Sequence, residues 1–150
     1  MNRPWRTVLA VIAGFVVATA VTMTVETVNG RVFYPELGKA AAGVTDREVI
    51  RTLLAGAPTG ALAVVVAGWA VASLVGGCVA AWIARGRRVL SALTVGILLT
   101  VAGVANNLML PPPTWFWIVG LVVFLPAAYL GARIAPVRAA AAAEPGEPRR

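Results

Sequence analysis

The chain has no histidine, one cysteine and only six acidic residues among its 150. Without histidine, zinc sites of the usual Cys/His type, histidine-ligated haem and Ser-His or Cys-His nucleophile pairs are excluded. Cys78 alone cannot form an intrachain disulfide. Its place beside Gly76, Gly77 and Ala80 reads as a small packing residue. Charge is scarce as well, at 13% of residues against 59% hydrophobic. So apolar a chain of this length cannot bury its surface in itself, and lipid is the solvent its composition requires.

What is abundant is long apolar runs. Crossing a hydrocarbon core of about 30 Å takes about 20 apolar residues, and four stretches meet that length: residues 7–30, 59–84, 89–110 and 115–135. The predicted fold class is therefore all-α: an integral membrane, up-down bundle of four transmembrane helices. The connections RGRR and PPPT are too short for anything but antiparallel neighbours. A cleavable signal peptide is the competing reading of the first run, since MNRPWRT is a basic start and Ala18, Thr19 and Ala20 resemble a cleavage site. The apolar run continues past that point, which favours a retained span.

Charge sets the expected orientation. Arg3, Arg6, Arg85, Arg87, Arg88, Arg133, Arg138, Arg149 and Arg150 fall on one side of such a bundle. Arg31, Lys39, Arg47 and Arg51 fall on the other, diluted by Glu36, Asp46 and Glu48. The positive-inside bias then puts both termini in the cytoplasm. The net charge of +7 reads as topology and attraction to anionic lipid heads. No compact basic patch alternates with aromatics as nucleic-acid binding would require, so the expected partner is the bilayer.

The external loop, residues 34–58, contains TDREVIRTLLAGAP, which predicts a short amphipathic helix over about 46–55. Thr45 can cap it, Glu48 completes a capping box, and Val49, Ile50, Leu53 and Leu54 share one side. The end of the chain, 137–150, is low-complexity alanine followed by Pro145 and Pro148, and predicts disorder. In the second span Gly68, Ala72, Gly76 and Ala80 recur every four residues, a small-residue row that lets helices approach closely in lipid. Ala10, Gly14 and Ala18 form a second such row. The two rows meet each other, or they meet a second copy of the chain or another membrane protein. Trp5, Trp82, Trp115 and Trp117 lie at span ends as an aromatic belt, Trp69 is mid-span, and Pro126 interrupts the last span.

One polar constellation stands out. At about 100° per residue, Phe15, Thr19, Thr22, Glu26 and Asn29 share a face of the first helix. Gly96, Thr100, Gly103 and Asn107 share a face of the third, with Asn106 turned away. Glu26 and Asn107 are each eighteen residues from the cytoplasmic end of their spans, about 27 Å at about 1.5 Å per residue. Both are thus expected near the outer interface. On the functional reading, Glu26 is a protonatable or cation-binding group held by Asn29 and Asn107, with Thr22 in the same polar cluster. On the structural reading, it accepts hydrogen bonds from Asn29, Asn107 and the indole of Trp115 or Trp117. In the latter case Glu26→Gln lowers thermal stability.

The segments VETVNGRVFYPEL, TDRE, APTGALAVVVAGWAVASLVGGCVAAWIA, NNLMLPPPTWFW and LPAAYLGARIAP resemble a family of small uncharacterised four-helix bacterial inner-membrane proteins. The resemblance implies a multi-pass inner-membrane location and no particular activity. Histidines that accompany the glutamate and the late prolines in that family are replaced here by the neighbourhoods Asn29 to Arg31 and Pro111 to Pro113. Small multidrug carriers are similar in having four helices and a first-helix glutamate, but the strong charge bias here opposes dual insertion. The expectation is a non-enzymatic membrane protein with a structural, accessory or interaction role and no cofactor or metal. The alternative is a small transporter or channel component using Glu26.

Overall fold

A computed structural model describes residues 4–84 and 86–136. The predicted tail, 137–150, lies outside the described residues. Six α-helices follow one another: α1 (Pro4–Val28), α2 (Pro35–Ala41), α3 (Arg47–Ala55), α4 (Thr59–Ala84), α5 (Arg88–Met109) and α6 (Thr114–Ile134). No strand occurs among the described residues. Four helices are long and apolar enough to cross a bilayer: α1 with its extension to Phe33, α4, α5 and α6. The molecule is a multi-pass membrane protein built as a four-helix bundle.

Its axis is α4, which packs against α1, α5 and α6; α5 also packs on α6, while α1 touches α5 far less. Small residues cause this asymmetry. A β-carbon on Gly76 would stand 2.6 Å from the Gly14 carbonyl oxygen and 2.8 Å from the Ala18 β-carbon, and one on Gly68 would meet Val25. Ala72 and Ala80 are fully buried in the same seam. The two small-residue rows therefore meet each other. A second row on α4 serves α6: Gly77 lies against the Ala128 backbone, and Gly131 against the backbone of Leu74 and Cys78. Ser73 donates to the Phe124 carbonyl at 2.6 Å, and α6 continues through Pro126.

At the turn between α4 and α5, the Arg88 guanidinium donates to the carbonyls of Ala132 and Ala135, where the last carbonyls of α6 have no helical partner. The segment between α1 and α4 departs from expectation in two ways. The first span does not exit at Gly30: it continues as a single π-helical turn, Asn29–Phe33, closed by Tyr34 N–H donating to Asn29 O at 2.8 Å. Pro35 then starts α2 at once, its fixed φ suiting a first helical position. α2 folds back so closely that Gly38 packs against the Gly30 backbone.

The predicted surface helix forms as α3, but its cap is Asp46 and not Thr45. Asp46 has an extended backbone, and its carboxylate accepts from the amides of Glu48 and Val49 at 2.9 and 3.1 Å. Glu48 pairs with Arg51 instead of closing a capping box.

Candidate functional site

The core of the bundle is centred on Trp69. Its ring is 5% exposed, stacks on Phe124 with centroids 5.3 Å apart, and meets Phe116 edge-on at 5.0 Å. Gly120 makes room for it, since a β-carbon there would stand 2.8 Å from the indole. A buried indole N–H needs an acceptor. Trp69 Nε1 donates to Glu26 Oε1 at 3.2 Å.

This corrects the expected partners of Glu26. Its hydrogen bond comes from the mid-span tryptophan, and neither from Asn29 or Asn107 nor from Trp115 or Trp117. Glu26 lies level with Asn106, near the end of α5, and one turn before Asn29, which reaches the first turn of α4. The register of α1 on α4 is set by Gly14 against Gly76 and Val25 against Gly68.

Above the tight Gly14 seam, α1 and α5 diverge and leave a cleft of about 210 Å³. Phe15 lies at its lower end; Thr19, Thr22 and Glu26 line one wall; Leu99, Ala102, Gly103 and Asn106 line the other; Trp69 and Phe124 close the back. Thr22 and Glu26 are thus brought together as expected. Asn106 replaces Asn107, because Gly96 and Gly103 turn toward Phe124 and Leu121 of α6 and carry Asn107 into the core with them. Asn107 is fully buried, and neither polar atom of its side chain bonds to a described residue. Asn29 is buried too, and donates to the Ala61 carbonyl at 3.1 Å, tying the π turn to the start of α4.

Glu26 also reaches a second hollow, of about 430 Å³, between the C-terminal end of α1 and α2. Arg31 and Lys39 line it with Gly30 and Gly38. The salt bridges among the described residues are Glu36 with Lys39 and Glu48 with Arg51. Glu26 forms none. It is thus a carboxylate held by one neutral donor in the wall between two hollows. Among the described residues no three His, Cys, Asp or Glu side chains converge as a metal site requires. A larger groove between α2 and α3 is lined mainly by Phe33, Tyr34, Leu37, Leu53 and Pro58. Its one carboxylate, Glu36, is paired with Lys39.

Fold and site together define a multi-pass membrane protein whose one acidic span residue, Glu26, is exposed at the edge of a four-helix bundle, between two hollows. Comparisons with family models, with curated proteins and with solved structures give no match.

Proposed function

We propose that this is a bacterial inner-membrane protein with both termini in the cytoplasm and a non-enzymatic, accessory or interaction role, exerted by binding at the Glu26 cleft. Location and orientation rest on the sequence, in which nine basic residues fall near the two termini and in the connection between the second and third spans, and on the resemblance to small four-helix inner-membrane proteins. The observation that carries the binding role is the position of Glu26: a carboxylate with no cationic partner among the described residues, bordering a hollow between α1 and α5 and another between α1 and α2. Ionisable groups within spans are costly, and those that persist mark sites.

A small transporter or channel component is the second reading, favoured by Glu26 bordering both hollows. Against it, the cleft ends near Phe15, below which Gly14 and Gly76 bring α1 and α4 into contact. The test is chemical modification in membranes. Dicyclohexylcarbodiimide, a lipid-soluble carboxyl reagent, is expected to label wild-type protein at Glu26 and to leave Glu26→Gln unlabelled; an unreactive Glu26 would reduce the residue to a helix tie. Reconstituted vesicles are expected to be no more permeable to protons or solutes than empty ones. Flux that depends on Glu26 would replace binding with transport.

A further inference from the structure

The hollow between the C-terminal end of α1 and α2 is lined by two opposite charges that no described residue pairs. One Glu26 oxygen accepts from the Trp69 indole, and the other accepts from no described residue. Arg31 is exposed and makes neither an ion pair nor a side-chain hydrogen bond among the described residues. Lys39 also lines the hollow, but Glu36 holds it at 2.9 Å.

The π turn brings the two free charges into one wall. At about 100° per residue, a continued α-helix would carry Arg31 about 140° around the axis from Glu26. The wider turn of Asn29–Phe33 advances each residue by less, so Arg31 comes round toward the side of Glu26, with Thr27 and Gly30 between them. Single π turns occur frequently at functional sites. Thr27 adds a hydroxyl that bonds to no described residue, and Gly38, packed on Gly30, lets α2 form the facing wall.

This chemistry defines the occupant. A simple anion or cation satisfies one of the two charges and is repelled by the other, whereas a zwitterion satisfies both. The guanidinium fork suits a phosphate. The carboxylate suits a primary ammonium, which has three N–H donors. A quaternary ammonium has no N–H to donate and is recognised by aromatic cages instead; no Phe, Tyr or Trp lines this hollow among the described residues.

Position selects the source. The hollow stands where the first span, which runs to Phe33, meets the short helices, and Asn29 ties it to the first turn of α4. Span ends lie at the level of the lipid headgroups. Back along α1 from Thr27, Met23, Ala20 and Val16 form an exposed stripe at helical spacing, an apolar track for an acyl chain.

Resting on the reading of Glu26 as a binding carboxylate, we infer that this hollow holds the headgroup of a phospholipid with a primary ammonium, the ammonium on Glu26 and the phosphate on Arg31 and Thr27.

The test uses the full chain in maltoside micelles, with bound lipid counted by native mass spectrometry. Phosphatidylethanolamine is compared with phosphatidylcholine of identical acyl chains, which differs only in its three N-methyl groups. Wild type is expected to bind one phosphatidylethanolamine about tenfold more tightly, equivalent to about 1.4 kcal/mol. Glu26→Gln is expected to remove that discrimination. Arg31→Gln is expected to weaken both lipids by about tenfold and to keep their ratio. Because Arg31 is exposed and unpaired among the described residues, this variant keeps the test decisive if Glu26→Gln folds poorly.

Equal affinity of wild type for the two lipids, discrimination that survives in Glu26→Gln, or full binding by Arg31→Gln would overturn the inference. Tighter binding of phosphatidylglycerol than of phosphatidylethanolamine would also overturn it, in favour of an anion site on Arg31. If O-phosphoethanolamine, which has no acyl chain, competes at the same concentration as the lipid, the ligand is soluble and the lipid assignment is wrong. Carbodiimide labelling of Glu26 without headgroup discrimination sinks the ligand assignment alone. Loss of both sinks the binding carboxylate itself.

Discussion

Trp69 illustrates how far single residues could be understood before their neighbours were known. A tryptophan in mid-span must place its N–H somewhere, and Glu26 is the only acidic residue within the four spans; that pairing was legible in principle. The length of the indole hid it: Trp69 starts from a mid-span backbone, but side chains lean toward the helix N-terminus and its ring reaches Phe116 in the first turn of α6. Trp69→Phe removes the donor, and interhelical hydrogen bonds in membranes contribute about 0.6 kcal/mol on average and up to about 1.7. A loss of that size, plus the cavity left by the smaller ring, is expected in reversible unfolding from mixed micelles. Glu26→Gln retains an amide oxygen that accepts from the same indole, so its effect on the melting curve is expected to be much smaller than that of Trp69→Phe. This revises the larger loss foreseen when Asn29 and Asn107 were its expected partners. Asn107→Leu tests the opposite case. Replacing a buried polar group that bonds to no described residue by an apolar one of similar size is neutral or stabilising. The unfolding midpoint of Asn107→Leu is therefore expected to hold or rise.

Among the elements, the four spans and α3 were legible because length, hydropathy and a local cap signal report on them directly. The choice between intramolecular packing and self-association was not. Small-residue rows announce close approach without naming the partner. Gly76→Leu tests the seam that results: the added side chain must push against the Gly14 backbone and Ala18, and overpacking of this kind costs about 1–3 kcal/mol. Weaker retention of α1 on α4, seen as faster unfolding in denaturing detergent, is the expected outcome. The π turn and α2 escaped sequence reading for a different reason. A π turn depends on one hydrogen bond formed five residues apart, from Tyr34 to Asn29, and no periodicity records it. Gly38 makes the fold-back of α2 possible, because any side chain there would collide with Gly30.

For the whole molecule, orientation is open to direct measurement. In a Cys78→Ala background, Lys39→Cys is expected to react with an impermeant maleimide on intact spheroplasts, and Arg87→Cys only after permeabilisation. Reversed accessibility would invert the proposed topology. The contact of Gly14 with Gly76 has a mechanical consequence as well. It is a fulcrum in the first half of a long rod that Val25 on Gly68 and Asn29 on Ala61 also fasten to α4, so the two helices turn together against α5, and Glu26 lies about 18 Å along that rod at about 1.5 Å per residue. A rotation of α1 by about 5° about the fulcrum moves the carboxylate by about 1.6 Å over such an arm. Helices longer than the local hydrocarbon thickness lean to fit it, so the gap between Thr22 and Ala102 becomes a gauge of bilayer thickness. Spin labels at those two positions should report different separations in short-chain and long-chain lipids, and identical separations would mean that the rod does not turn.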